Sequence, residues 1–423
     1  MRLFRSLRSR DYRRFFTGQA VSLVGDWMTM TATGWLAYEL TRDAFTLGLV
    51  VFAQQIPLLL ISPIAGVLGD RVNRRKLFCV LQGGCILHSG TLAVLTLTGH
   101  LTAHLLIGLA VFRGLVNAVE FPTRQTLMVD LVGDKTNLPN AIALNSTLFN
   151  LARLAGPTFA GLAIVKLGAG WCYAVDAFSG IPVVLLMLSI RDGGAGAIAR
   201  VRTSPVGALK EGIAYVSADL RLKTSLVMVG TISLAGFTGV TLAPLIAREL
   251  LHGDARTLGL MHTAVGIGAL GSAIFLGTRH THKGLEKAVR FGALAAVAGQ
   301  TVVAVSSHRN TTLAGMAVCG MGTVLVFAGS NTMLQAEIAD DKRGRVMGLF
   351  AMCQSMYPIG GLLVGGLAAS AVGPRPTLLL TAGVCLAGAI RFRKNIVRAE
   401  TLARDTAPPL AGTPAPIRTA ESV

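Results

Sequence analysis

The stretch "GVLGDRVNRRKLF", Gly66–Phe78, decides how this chain folds, because charges are concentrated in it while strongly apolar sequence lies on both sides. Its charged residues are Asp70, Arg71, Arg74, Arg75 and Lys76. A charged turn between two apolar runs is typical of a loop that connects two membrane-spanning helices. Apolar runs of about 20 residues, the length that spans a bilayer core, recur along the whole sequence.

The composition supports a polytopic membrane protein. Of the 423 residues 52% are apolar and only 14% are charged, where soluble domains carry roughly 25% charged residues. The net charge of +18 could indicate nucleic-acid binding, but the basic residues lie in short segments between apolar runs, so we expect no nucleic-acid partner. The six cysteines all lie in apolar segments without metal-ligand spacing, and neither a metal site, a disulfide framework nor a cofactor is predicted.

The sequence predicts twelve membrane-spanning helices, six on each side of a polar central segment. They cover about 15–38, 44–66, 77–98, 103–123, 141–165, 171–190, 224–247, 257–278, 288–306, 311–333, 346–370 and 376–392. With the N-terminus in the cytoplasm, Lys and Arg residues are roughly five times as frequent on the cytoplasmic side as outside. This bias predicts that both chain ends are cytoplasmic. The first apolar run is interpreted as a retained span, not a signal peptide.

These spans divide the chain into two pseudo-symmetric six-helix bundles with polar segments around them. The predicted segments are an N-terminal arm 1–14, a bundle 15–190, a central loop 191–223, a bundle 224–392 and a tail 393–423 expected to be cytoplasmic and disordered. "QTLMVDLVGDK" (Gln125–Lys135) resembles "NTMLQAEIADDK" (Asn331–Lys342), and both follow the fourth span of their half. Internal repeats of this kind are common in transporters; chance similarity of two amphipathic helix ends is the alternative.

The opening stretch resembles the GxLaDRxGRK signature of the loop between spans 2 and 3 in the major facilitator superfamily. The matching residues are Gly66, Leu68, Asp70, Arg71, Arg74 and Arg75. The resemblance implies a cytoplasmic gate that latches the two halves, with Asp70 near Val346 and Arg124 as its ion-pair partner. Asn73 stands where the family has Gly, and we expect it to take the left-handed backbone conformation. The alternative is that the charges only orient the helices.

A second resemblance covers residues 1–190 clearly and the second half more weakly. "LRSRDYRRFFTGQAVSLVGDWM" (Leu7–Met28), "RGLVNAVEFPTRQTLMVDLV" (Arg113–Val132) and "NAIALNSTLFNLARLAGPTFAGL" (Asn140–Leu162) are similar to the transmembrane secretion effectors, a branch with enterobactin-exporter-like and macrolide-efflux-like proteins. Gly156, Pro157 and Gly161 resemble the antiporter motif of span 5, although Ala152 replaces its usual preceding Gly. This match implies export.

Polar residues inside the spans are the candidate functional site, because an ionisable residue at the bilayer centre is costly. Asp26 lies on a polar face of span 1, and span 4 repeats the pattern. Span 4 contributes Arg113, Asn117, Glu120 and Arg124, span 5 contributes Arg153, and span 6 contributes Asp176. We predict that one cavity gathers Asp26, Arg113, Glu120 and Arg153, with Asp26 the first and Glu120 the second candidate for carrying a coupling proton. A static structural pair of Asp26 and Arg113 is the alternative.

The predicted function is secondary active transport in a bacterial plasma (inner) membrane. A monomer would export a small molecule, such as a drug or siderophore, in exchange for protons by alternating access. The chain contains neither a Walker A sequence nor an HExxH metal motif, so ATP hydrolysis and membrane-enzyme activity are not expected. An uptake symporter and a non-transporting sensor or scaffold are the alternatives. The substrate's charge is undecided, because the carboxylates suit cations and the arginines suit anions.

Overall fold

The computed structural model describes residues 4–69, 72–190, 205–278, 284–339 and 342–405. Within these ranges the regular secondary structure is entirely helical. The helices, with short interruptions included, are α1 Arg10–Thr41, α2 Ala44–Gly69, α3 Arg74–Leu97, α4 Ala103–Val132, α5 Leu138–Leu167, α6 Ala169–Leu188, α7 Pro205–Ala218, α8 Leu220–Leu250, α9 Ala255–Gly277, α10 Leu285–Val305, α11 Arg309–Glu337, α12 Arg343–Val372 and α13 Pro374–Asp405.

All twelve predicted spans are present as helices, and α1 differs from the others in its polarity. In the part of the chain that the structure describes, 11 helices are long and apolar enough to cross a membrane, and α1 is not among them. With 32 residues α1 is long enough. Its polar stripe, which includes Gln19, Ser22 and Asp26, makes it less apolar than its neighbours.

Two polar segments contain more helix than the sequence predicted. The helix α7 lies inside the predicted central loop, and α13 continues to Asp405, beyond the predicted end of the last span at residue 392. The first part of the predicted tail is therefore helical. Residues 191–204 of the central loop and residues 406–423 of the tail lie outside the described residues.

The helices form two bundles of six spans each. In the N-terminal half α2 packs on α4, α3 on α6, and α1 on both α5 and α6. In the C-terminal half α11 packs on α9 and α10, and α13 packs on α10 and α8. Contacts between the halves are made chiefly by α2 with α12 and by α5 with α9.

Among the described residues, the two halves share a hydrophobic core at one face of the molecule only. We call the face where α1 begins and α13 ends the terminal face. There each half has its own core: one contains Tyr12, Phe15 and Phe78, and the other contains Leu222 and Phe350. At the opposite face a single core includes residues of both halves, such as Tyr38, Leu47, Leu242 and Ile246. The halves are thus joined at the opposite face.

Small residues let the halves approach closely where they are joined. A Cβ atom built on Gly48 of α2 would lie 2.6 Å from the Gly361 carbonyl oxygen of α12. A Cβ on Gly259 of α9 would lie 2.4 Å from the Pro157 carbonyl oxygen of α5. Backbone contacts this short are possible only because these positions lack a side chain, a common device for packing membrane helices.

Polar contacts also tie the halves at the opposite face. Tyr38 donates a hydrogen bond to Glu249 over 2.9 Å, and Arg248 lies 3.6 Å from Glu39. The Ser370 hydroxyl donates to the Asp43 carboxylate over 3.0 Å and accepts from the backbone amide of Phe45 over 3.0 Å. We call this last group, Asp43, Phe45 and Ser370, the opposite-face clasp, because it joins the start of α2 to the end of α12.

Candidate functional site

The centre of the candidate site is an ion pair between α1 and α4. Arg113 Nη2 donates to Asp26 Oδ1 over 2.5 Å. The arginine side chain is 10% exposed and the aspartate side chain 31% exposed. Arg113 Nη1 is buried and has no hydrogen-bond partner among the described residues. The pair therefore consists of a buried cation with unused donor capacity and a carboxylate that is open on one side.

Glycines beside the two charged residues set their positions. A Cβ on Gly114 would lie 2.4 Å from the Gln54 carbonyl oxygen, so α4 touches the backbone of α2 next to Arg113. A Cβ on Gly25 would lie 2.6 Å from Asp176 Oδ1, so α1 touches α6 next to Asp26. Each charged residue is thereby held beside a point where two helix backbones are in close contact.

Glu120 belongs to a separate pair nearer the terminal face. Its carboxylate lies 3.7 Å from Arg124 Nε one turn further along α4, and Arg124 also donates to Gln19 over 3.4 Å. The guanidinium of Arg124 lies 5.7 Å from the ring centroid of Phe121. Asn117, between the two arginines, is half-buried and makes no hydrogen bond with the described residues. Glu120 therefore neutralises Arg124 and does not contact Asp26.

Asp176 of α6 is buried beside α1, near enough to Asp26 and Arg113 to interact electrostatically with both, and it pairs with α3. Ser89 donates to Asp176 Oδ2 over 2.5 Å, and His88 Nδ1 lies 3.5 Å from the Ser89 hydroxyl. Ser89 was not predicted as a site residue, because a hydroxyl in an apolar span is common. The adjacent polar pair of His88 and Ser89 in the middle of α3 is the signal that could have indicated this cluster.

Arg153 lies against aromatic residues. Its guanidinium is 5.9 Å from the ring centroid of Trp27, and Trp27 meets Phe149 edge-on at 5.6 Å. Arg153 makes no ion pair with any described residue. The expected cavity with four charged residues is therefore more divided than predicted. Asp26 and Arg113 are in contact, whereas Glu120 pairs with Arg124 and Arg153 stacks on the residue that follows Asp26.

The predicted cytoplasmic gate is described only in part. Gly66 lies in α2, while Asp70 and Arg71 lie outside the described residues. Arg74, at the start of α3, donates to Asp130 near the end of α4 over 3.0 Å. This ion pair joins two helices of the same half.

The expected left-handed conformation of Asn73 is wrong. Its φ is −62°, and its side-chain oxygen accepts from the backbone amides of Arg75 and Lys76, both over 3.1 Å. Asn73 is thus the N-cap of α3. An N-cap residue uses extended backbone, so Asn here replaces the family's Gly without a left-handed turn.

The antiporter-like motif is a contact point for three helices. A Cβ on Gly156 would lie 2.4 Å from the Cβ of Trp27 in α1. A Cβ on Gly161 would lie 2.8 Å from the Ala255 carbonyl oxygen in α9, and the Pro157 carbonyl faces Gly259 of the same helix. The motif therefore lets α5 pack closely on α1 within its half and on α9 across the interface between the halves.

Two six-helix bundles with buried charge pairs define a class of fold that solved membrane transporters share. The solved nucleoside transporter NupG superposes with a TM-score of 0.72 at 13% identity, covering 91% of this chain and 99% of that one. A bacterial homologue of the human lysosomal transporter Spinster, solved inward-facing and unoccupied, superposes with a TM-score of 0.67 at 14% identity, covering 95% of this chain and 99% of that one.

Within that class, residues 3–417 match the transmembrane secretion effector family, and the chain belongs to it. It is 25% identical to the staphyloferrin A transporter of Staphylococcus aureus, over 83% of this chain and 87% of the relative. It is 25% identical to the multidrug efflux pump Tap of Mycolicibacterium fortuitum (84% and 88% covered) and 23% identical to the enterobactin exporter EntS of Salmonella typhimurium (85% and 86% covered). The family and these relatives are transporters and not enzymes.

Proposed function

We propose that the protein exports a small molecule in exchange for protons by alternating access, as a monomer in a bacterial plasma membrane with both termini in the cytoplasm. The observation that carries this proposal is the ion pair of Asp26 with Arg113. A carboxylate inside the membrane that is open on one side and anchored to a buried arginine on the other can bind and release a proton where a closed pair cannot.

Proton and substrate would meet at the open side of the Asp26 carboxylate. An ionised Asp26 can accept a hydrogen bond from a substrate, and a protonated Asp26 no longer offers that charge-assisted bond. Proton and substrate therefore compete for the same carboxylate. Mutually exclusive binding of the two is the differential affinity that exchange in opposite directions requires.

The arrangement of the cores supports a rocking motion of the halves. The described state is joined at the opposite face and has separate cores at the terminal face. To expose the site on the other side, α2 must part from α12 and α5 from α9. Interfaces built on close small-residue contacts can separate as units, because the helices themselves stay folded.

Export is favoured over uptake by two observations. Two of the relatives are an exporter and an efflux pump by name, and Gly156 and Pro157 match the antiporter-like motif. An uptake symporter with the same fold is the second candidate, and the same experiment separates the two.

The test is transport in proteoliposomes with an imposed pH gradient. Vesicles that contain the purified protein and a pH-sensitive dye are offered a panel of fluorescent drugs and iron-free siderophores. An antiporter moves protons against the substrate, whereas a symporter moves both in one direction. We expect Asp26→Asn to abolish substrate-dependent proton movement, while Asp11→Asn, a carboxylate at the exposed start of α1, leaves it unchanged.

Two outcomes would reject this proposal. Proton movement in Asp26→Asn that equals that of the unmodified protein at every pH would assign the pair a static structural role. No gradient-driven transport of any substrate, in vesicles where the protein is folded, would favour a sensor or scaffold.

A further inference from the structure

Among the charged residues inside the spans of the N-terminal half, Arg153 is the cation that no described carboxylate contacts. Asp26 and Glu120 are each paired with an arginine, and the carboxylate of Asp176 is turned to Ser89 on α3. Arg153 has no carboxylate partner among the described residues, and Arg113 Nη1 is buried without a hydrogen bond. A partly buried cation without a counter-charge is unfavourable, and an anionic ligand beside Arg153 would relieve that cost.

Arg153 on α5 lies among aromatic residues. Arg153 stacks on Trp27, and Phe149 meets the same indole edge-on. Phe149 is 39% exposed and Trp27 is half-buried, so both rings keep accessible surface. We call Trp27, Phe149 and Arg153 the arginine–aromatic cluster. An arginine held flat by an indole keeps its edge free for bidentate contact with a carboxylate or a similar group.

The C-terminal half contributes aromatic surface and few polar groups. Phe237 stacks on Phe327 at 5.9 Å with an interplanar angle of 18°, and it lies 5.5 Å from the ring of Tyr357. We call these three residues the aromatic platform; they come from α8, α11 and α12 and are all half-buried. Gln300 is not available to a ligand, because it is fully buried and bonded to Thr381 and the Ala235 carbonyl.

The backbone around the aromatic platform is irregular. A π-helical segment, Ile232–Gly236, directly precedes Phe237, and another, Gly361–Ala368, follows shortly after Tyr357. Such segments are rare and are frequently found at functional sites. Here the two segments lie in α8 and α12, the helices that carry Phe237 and Tyr357.

We propose that the transported substrate is a planar aromatic anion, whose acidic group binds Arg153 and whose ring packs on aromatic side chains of both halves. This rests on the proposed function and names the substrate class for the same site. An aromatic cation is disfavoured, because no carboxylate of the described spans in the N-terminal half is both unpaired and accessible. An aliphatic anion would satisfy Arg153 but would leave the aromatic platform without a stacking partner.

The experiment measures binding to the purified full-length protein in nanodiscs by calorimetry, without a pH gradient. The probes are naphthoate, the neutral naphthamide of the same shape, and decahydronaphthoate, which keeps the charge and loses the aromatic ring. We expect naphthoate to bind at least roughly tenfold more tightly than either analogue, as the loss of a charge-assisted hydrogen bond or of ring stacking implies.

Variants then test separately the contribution of Arg153 and that of the aromatic platform. Arg153→Gln should weaken naphthoate binding roughly tenfold and leave naphthamide binding unchanged, whereas Lys166→Gln, an exposed cation on the same helix, should change neither. Phe237→Leu should weaken naphthoate and leave decahydronaphthoate unchanged, whereas Phe291→Leu, 57% exposed on α10, is the control. Arg153→Lys should retain part of the preference for the anion.

The outcomes separate this inference from the proposed function. Equal binding of the three probes, or an Arg153→Gln variant that loses naphthoate and naphthamide alike, would overturn the inference even if proton-coupled transport of another substrate is found. Selective naphthoate binding that follows the two variants would support it even if no gradient drives naphthoate across the membrane, and in that case only the proposed coupling fails.

Discussion

Asn73 begins α3 by accepting hydrogen bonds from two backbone amides with one side-chain oxygen. Removing such a cap leaves amides at the helix start without a partner, so we expect Asn73→Ala to lower the free energy of unfolding by about 1 kcal/mol. Asp offers the same acceptor and should retain the stability. The thermal midpoint, followed by tryptophan fluorescence of the detergent-solubilised protein, compares the three. Equal midpoints for the Ala and Asp variants would show that the cap contributes nothing.

Individual site residues could be predicted where their chemistry is unusual for their position. Asp26 and Arg113 stand out because charged residues are rare in apolar spans, and the structure brings them into contact. Ser89 and Trp27 could not be selected in the same way, since hydroxyl and aromatic residues are ordinary in such spans. Their roles depend on which helices become neighbours, and a single sequence does not contain that information. The proton-carrying role of Asp26 stays a prediction.

At the scale of single helices, α9 makes two kinds of close contact. Gly259 faces the Pro157 carbonyl of α5 across the interface between the halves. Gly268 faces the Ala317 carbonyl of α11 inside the C-terminal half, where a Cβ would lie 1.8 Å from the oxygen. In the proposed rocking motion the first contact breaks and the second persists. The two glycines therefore serve as matched positions for the same substitution.

We expect Gly259→Ala to push the halves apart at the opposite face and Gly268→Ala to lower stability without changing the state. Spin labels at Leu97 and Val305, both exposed at helix ends of the opposite face, report the separation of the halves. The label distance should increase in Gly259→Ala and not in Gly268→Ala, whereas Gly268→Ala should show the lower thermal midpoint. An unchanged label distance in Gly259→Ala would mean that the interface between α5 and α9 accommodates a methyl group without moving the halves apart.

The positions of the helices were predictable, because apolar runs and their charged boundaries follow from the bilayer itself. The π-helical segments of α8 and α12 were not. Where these two helices cross, a Cβ on Gly360 would lie 1.9 Å from the Leu234 carbonyl oxygen. Irregular backbone of this kind is a response to tertiary packing, and local sequence does not specify it.

At the scale of the whole molecule, the opposite-face clasp makes closure dependent on an ionised carboxylate. Burial would raise the pKa of Asp43, but hydrogen bonds from the Phe45 amide, the Ser370 hydroxyl and Thr46 outweigh it, and the pKa lies below its ordinary value of 3.8. A lowered pKa means that the clasp contributes its full stability above that ordinary value and loses it as the pH falls through the pKa of the closed state.

The clasp should therefore hold the opposite face closed throughout the physiological pH range. We expect Asp43→Asn and Ser370→Ala to increase the Leu97–Val305 label distance at neutral pH. Between pH ~7 and pH ~5 the Leu97–Val305 label distance of the unmodified protein should stay constant, because Asp43 stays ionised there. A label distance that is the same in both variants as in the unmodified protein would show that the clasp does not help to close this face.

The division into two halves could be predicted from the sequence, but the conformational state could not. The count of spans and the long central segment already indicate two bundles. Which face is closed depends on small differences in free energy between two packings of the same helices. The side chains that meet at the opposite face, such as Leu47 and Leu242, have no feature that distinguishes them from apolar residues facing lipid.

The polarity of α1 has a consequence for biosynthesis. This helix leaves the ribosome before the other described spans, yet the residue that neutralises its aspartate lies 87 positions later in the chain. Until α4 has been translated, α1 carries an uncompensated acid and is less apolar than the helices that follow. Stable integration into the lipid phase should therefore be delayed until the first four helices can leave the translocon together, and a nascent chain truncated before Arg113 should remain extractable from the membrane.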